Sequence, residues 1–113
     1  MKTIKDKISR SELSEMAKNM FDNMVKAVVD VEKQIMTVDA PMHADEEAEL
    51  MENGSKQENL WGINIYPDKY GEDFIEFDSM INIKPSQGNR IRSIGATRVR
   101  ETIVRIVNHL VEK

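Results

Sequence analysis

The sequence predicts an α+β domain with the element order α-β-β-α-β-β-α, in which three helices pack against one face of a four-stranded, mainly antiparallel sheet. Two observations predict the helices and strands. Apolar residues recur with the helical period in some segments and alternate with polar residues in others. A third gives the size, since 113 residues is close to the commonest length of one domain. We therefore expect residues 1–113 to form a single compact domain.

The first third of the chain predicts a helix followed by a β-hairpin. Ser9 followed by Glu12 matches the capping box that opens many helices. The apolar residues that follow share one helical stripe and are Leu13, Met16, Ala17, Met20, Phe21 and Met24. β-branched residues then lie on both sides of a polar EKQ segment, which predicts strands at 25–31 and 35–38.

The rest of the chain predicts a helix, a second hairpin and a final helix. Asp39 is a suitable N-cap for the second helix, and Gly54 is suited to end it in the left-handed conformation. Alternation in residues 60–68 and 74–85 predicts two strands, with a loop containing proline and glycine between them. A last helix should begin near Thr97, because apolar residues recur from there with the helical period.

Composition excludes several kinds of protein. The chain has no cysteine, which rules out disulfides, thiolate metal sites and cysteine nucleophiles. The N-terminus lacks the apolar core of a signal peptide, and no apolar run approaches the roughly 18 residues needed to cross a bilayer. We therefore expect a cytoplasmic protein that does not associate with membranes.

The net charge of −4 conceals a segregation of charge along the chain. Residues 39–83 carry twelve acidic and two basic side chains, whereas residues 84–113 carry two acidic and seven basic ones. This division argues against a uniform nucleic-acid-binding face, so nucleic acid is not a favoured partner. The acidic and basic blocks are as readily explained by pairing with each other, within the molecule or across a dimer.

The segment IKPSQGNRIRS, residues 83–93, is the leading candidate for a binding site. Its polar and cationic side chains are those of Ser86, Gln87, Asn89, Arg90 and Arg92. Guanidinium groups bind carboxylate and phosphate, so the loop predicts a site for an anionic or phosphate-bearing ligand. The phosphate-binding fingerprints GxGxxG and GxxxxGK[ST] are absent. The alternative is a polar connection whose arginines pair with the acidic block.

The sheet beside this loop extends the candidate site. The polar face of the predicted second hairpin carries Asn64, Tyr66, Glu76, Asp78 and Asn82. We expect the two strands to place Asn64, Tyr66 and Asn82 near the loop, where they could contact the same ligand. A row of polar side chains is also what a solvated antiparallel face normally shows.

A second candidate begins at His43. On a helix His43, Glu46 and Glu47 share one face, from which they could provide two metal ligands or a histidine general base with an acidic partner. The ligand count is too low to predict a metal site, because the only other histidine lies in a helix that packing explains. These three residues are the candidates for catalysis, and the sequence identifies no cofactor.

Two stretches resemble a known family. HADEEAELMENGSKQENLWGINIYPD, residues 43–68, and DFIEFDSMINIKPSQGNR, residues 73–90, are similar to a small prokaryotic family known only as a domain of unknown function. The resemblance runs from about Met24 to Leu110. It implies a compact single-domain cytoplasmic protein and carries over no activity, cofactor or substrate.

Three functions are consistent with these observations. The leading hypothesis is a binding domain that recognises a small anionic or phosphate-bearing ligand through residues 85–92. The alternatives are a small metal-dependent or histidine-based hydrolase using residues 43–47, and a homodimeric interaction protein without a small ligand. The sequence leaves the choice between monomer and homodimer open, because the open face of a thin sheet is a natural place to dimerise.

Overall fold

The computed structural model describes residues 1–112 and confirms the α+β class. Its elements, in chain order, are β1 (Lys2–Ile4), β2 (Ile8–Ser9), α1 (Arg10–Met20), β3 (Val25–Asp30), β4 (Ile35–Val38), α2 (His43–Glu52), β5 (Leu60–Ile65), β6 (Ile75–Glu76), α3 (Thr97–Leu110) and β7 (Val111–Glu112). Five strands form an antiparallel sheet in the order β1-β4-β3-β5-β6, and β2 and β7 form a separate parallel pair. None of the helices in residues 1–112 has the length and hydrophobicity that a membrane crossing needs.

The predicted strand count and element order are wrong. β1 precedes the first helix and adds a fifth strand by pairing with β4. This strand was not predicted, because its three residues are too few to show a period. The segment predicted as a strand at 74–85 contains only β6, after which the chain forms 3₁₀ turns at Met80–Asn82 and Pro85–Gln87. Ser79 explains the first turn, because its side chain accepts a hydrogen bond from Ile81 N.

The predicted starts of the first and last helices are confirmed, but α1 ends at Met20, before Phe21 and Met24 of the predicted stripe. The Ser9 hydroxyl accepts a hydrogen bond from Glu12 N at 3.0 Å, and α3 begins at Thr97. Gly54 adopts a φ of 99° after the end of α2. Asp39 is not an N-cap, because its φ of 71° turns the chain out of β4 and the helix starts later, at His43.

The three helices do not share one face of the sheet, so that prediction is also wrong. The main core joins one face of β3, including Val29, to Leu13 of α1 and Ile103 of α3. Val28 points to the opposite face, where it packs with Leu50 of α2 in a second, smaller cluster. The sheet is therefore covered on both faces, and all six residues of β5 are buried.

Candidate functional site

Asn89 holds the predicted binding loop together. Its side chain is buried, and the two hydrogens of Nδ2 are shared among three backbone oxygens, those of Asn82, Ile91 and Ser93, at 2.7 to 3.1 Å. Its Oδ1 accepts from Gly95 N at 3.0 Å. Both ends of the carboxamide are thus occupied by the loop itself, so Asn89 has a structural role and is not free to contact a ligand.

The other side chains of the loop differ in how accessible they are. Ser86 is exposed, and Gln87 is exposed while donating to Glu58 O at 3.1 Å. Arg90 is exposed and forms no ion pair with residues 1–112. Arg92 pairs with Asp78 of the acidic block, with Nε 2.9 Å from Oδ1. Only Arg90 therefore offers an uncommitted guanidinium group.

Asn82 closes an edge of the sheet where β6 does not reach. Its Oδ1 accepts from Gly62 N at 2.8 Å and its Nδ2 donates to Gly62 O at 2.9 Å. A carboxamide presents the same donor and acceptor as a peptide group, so this side chain replaces a neighbouring strand at Gly62. Asn82 is fully buried and lies apart from any ligand-accessible surface.

Asn64 and Tyr66 converge on Glu76 on the face of the sheet that α2 covers. Lys26, Asn64 and Glu76 are direct cross-strand neighbours on β3, β5 and β6. Glu76 Oε1 accepts from Asn64 Nδ2 at 2.8 Å and from the Tyr66 hydroxyl at 3.0 Å. Partial burial raises the pKa of Tyr66, and its hydrogen bond to Glu76 raises it further. Asn64, Tyr66 and Glu76 thus lie together on one face, as the alternation predicted. They are hydrogen-bonded to one another through Glu76.

His43 lies beside this cluster, at the first residue of α2. Its Nε2 is 2.7 Å from Ile63 O, so with Nε2 protonated it donates to that carbonyl. Burial lowers the pKa of His43, and the hydrogen bond to Ile63 offsets this only in part. The imidazole is therefore neutral at neutral pH and is anchored to the sheet backbone.

The two glutamates of the second candidate, Glu46 and Glu47, differ in how far they are buried. Glu46 is fully buried, and its Oε2 accepts from Ala40 N at 3.1 Å while Oε1 has no partner in residues 1–112. Burial raises the pKa of Glu46 to about 9, so its carboxyl is protonated at neutral pH. Glu47 is partly exposed. Nowhere in the described chain do three His, Cys, Asp or Glu side chains gather as a metal site would require.

A groove of about 1090 Å³ lies between α3 and residues 71–78 and was not predicted from the sequence. Its apolar lining comes from Phe74, Ile75, Phe77 and Val104. Charged side chains at its rim are Glu72, Glu76, Asp78, Arg100, Glu101 and Arg105. The one sequence signal for it is Val104, which lies outside the core stripe of α3 and is 37% exposed.

Arg100 shapes one wall of this groove and is committed to the protein. Its guanidinium lies over the Phe77 ring, 4.7 Å from the ring centre, and its Nη2 donates to the Ser93 hydroxyl at 2.8 Å. Its Nε also donates to Ile94 O. The groove therefore has an apolar interior, an arginine that is hydrogen-bonded to neutral groups and keeps its charge, and a rim in which four acidic groups outnumber two basic ones.

One family matches the chain over nearly its whole length. Residues 2–110 match the family described as Protein of unknown function (DUF5674). The chain belongs to this family. The match confirms the resemblance of residues 43–68 and 73–90 and extends it to include β1 and α1. No curated protein and no solved structure matches the chain.

Proposed function

We propose that this protein is a binding domain whose ligand occupies the groove between α3 and residues 71–78. The observation that carries the proposal is the groove itself, a concavity of about 1090 Å³ with an apolar interior and charged rim. Ligand sites are typically concavities of roughly 300–1,000 Å³ with this composition. A binding domain is also what the sequence favoured, but this groove is lined by residues 71–78 and α3 and not by residues 85–92.

The charges of the rim favour a ligand with an apolar body and a cationic group. Glu72 and Glu101 are exposed and form no ion pair with any residue of 1–112. Of the charged side chains in the lining four are acidic and only two, Arg100 and Arg105, are basic. A cation entering the groove would therefore meet more attraction than repulsion.

An anionic ligand at residues 85–92 is the second candidate. It is supported by Arg90, whose exposed guanidinium group has no acidic partner within residues 1–112. The exposed Ser86 hydroxyl lies in the same loop and could donate to an anion. The hydrolase alternative has less support, because His43 is anchored to Ile63 O and Glu46 bonds the backbone of Ala40.

A titration with matched small probes, followed by amide chemical shifts, tests both candidates. We expect 2-phenylethylammonium to shift the amides of residues 71–78 and of α3 more than phenylacetate does at the same concentration. Inorganic phosphate should instead shift residues 86–92, and Arg90→Ala should remove that shift. Groove amides that do not respond to 2-phenylethylammonium would contradict the proposed function.

A pair of variants separates groove binding from general effects of added charge. Val104→Lys places a cation in the groove and should weaken binding of 2-phenylethylammonium. Ile91→Lys is the control, because Ile91 is 61% exposed and does not line the groove. Equal losses in the two variants would show that the probe binds elsewhere.

A further inference from the structure

We propose that the ligand of the groove is an extended peptide that adds a strand to the free edge of β6. The proposal rests on the proposed function of the groove and names the class of ligand. Extended peptides commonly bind by pairing with an exposed sheet edge, with the backbone providing affinity and adjacent pockets providing specificity.

The register of β6 leaves the backbone of Ile75 unpaired. Tyr66 N donates to Phe74 O at 2.9 Å, and Ile65 and Ile75 are cross-strand neighbours. Hydrogen-bonded and non-hydrogen-bonded pairs alternate in an antiparallel ladder, so Phe74 and Glu76 face β5 while Ile75 N–H and C=O face away from it. β6 is the last strand of the sheet, so within residues 1–112 these outward-facing groups of Ile75 have no strand partner, and Ile75 lines the groove.

The chain closes this edge after β6 but not beside the groove. Beyond β6, Ser79 N donates to Arg92 O at 3.2 Å and Asp78 bridges Ser93. The open part of the edge therefore lies before Asp78 and includes Ile75. Its short length is suited to an added segment of a few residues, because a strand advances by roughly 3.3 Å per residue.

The walls of the groove define the sequence that such a peptide should have. Phe77 and Val104 provide apolar contacts for a side chain that points into the groove. The residues on either side of that apolar residue point to the opposite face of β6, the face that carries Glu76, so they should be lysine or arginine. A second copy of this chain would bring the same acidic rim against itself, so charge favours a basic peptide over pairing of two β6 edges.

The probe is the peptide acetyl-Lys-Val-Lys-Val-Lys-amide, titrated into the isotope-labelled full chain. The expected result is a chemical-shift change largest at Ile75 and its neighbours, with slower hydrogen exchange of the Ile75 amide. The matched peptide with glutamate in place of each lysine should bind more weakly, because it adds negative charge to an acidic rim.

Two N-methylated analogues test whether the peptide backbone pairs with β6. One carries the methyl group on the nitrogen of the central lysine and the other on the nitrogen of the valine before it. Successive N–H groups of a strand point to opposite edges, so only one methyl group should face β6. We expect that analogue to bind about tenfold more weakly, because one hydrogen bond is lost, and the other to bind unchanged.

The possible failures are distinguishable. If both analogues bind as tightly as the parent peptide, strand addition is wrong while groove binding stands. If neither the peptide nor 2-phenylethylammonium shifts residues 71–78 and α3, the proposed function is wrong as well. If Ile75 becomes protected from exchange when the protein alone is concentrated, and its sedimentation shows a dimer, the occupant is a second copy and the peptide proposal is overturned.

Discussion

Glu46 should make the folded protein less stable as the pH rises, and Glu46→Gln should remove that dependence. Burial of Glu46 raises the pKa of its carboxyl from 4.5 to about 9. Between these values the folded protein holds a proton that the unfolded chain has released, so each pH unit costs about 1.4 kcal/mol of unfolding free energy. From pH 5 to pH 8 the loss attributable to Glu46 is therefore about 4 kcal/mol.

Urea unfolding of the wild type and Glu46→Gln at pH 5 and pH 8 measures this loss. Glutamine resembles the protonated acid and retains an acceptor for Ala40 N, so the two proteins should be nearly equal in stability at pH 5. At pH 8 the glutamine variant should be more stable by about 4 kcal/mol, because it has no proton to hold. Other titrating groups, including His43, are common to both proteins and cancel in the comparison.

Glu52→Gln is the control, because it makes the same chemical change at an exposed position of α2. Its stability should follow the wild type at both pH values. If Glu46→Gln and the wild type differ by the same amount at pH 5 and pH 8, the folded protein does not hold the proton on Glu46. The reasoning from burial would then be refuted.

Three further predictions test contacts of β5 and of the chain that follows β6. Asn82→Ala should lower the unfolding free energy by about 2–4 kcal/mol in chemical denaturation, because it leaves both buried peptide groups of Gly62 without a partner; wild-type stability would contradict this role. Gly62→Ala should cost about 1–3 kcal/mol by overpacking. The added Cβ would lie 2.5 Å from Ser79 Cβ, so Gly62→Ala should cost less in a Ser79→Gly background than in the wild type, and an equal cost would argue against the clash. A double-mutant cycle of Arg92→Ala and Asp78→Ala should give a coupling below about 1 kcal/mol, because the ion pair is exposed, and a much larger value would show that the pair is structural.

The elements that the sequence predicted correctly depend on local chemistry. The Ser9 cap, the hairpin of β3 and β4, and the start of α3 are each determined by neighbouring residues, whose periods and capping groups are visible in one dimension. β1 and the chain after Glu76 depend instead on distant partners. Asn82 and Asn89 hold the latter segment through bonds to backbone groups, and a sequence pattern does not show which groups an amide will find.

The burial of the polar sheet face was also missed, because it depends on partners that are distant in the sequence. Gly62 and Asn64 alternate with apolar residues, which is typical of a solvated face. The structure buries both, because a glycine admits close packing against Ser79 and an asparagine can be buried once its amide is bonded. The groove was missed for a different reason, since its two walls are separated by about twenty residues of irregular chain.

The carboxamide of Asn82 also bears on solubility. LWGINI, residues 60–65, is an uncharged strand without proline, the kind of segment that forms intermolecular β-structure when its edge is exposed. Because β6 pairs only with Asn64 and Ile65, the backbone of Gly62 is shielded by one side chain rather than by another strand. Asn82 thus protects against aggregation, because its loss would expose the backbone of an uncharged, apolar strand to other unfolded or partly folded chains.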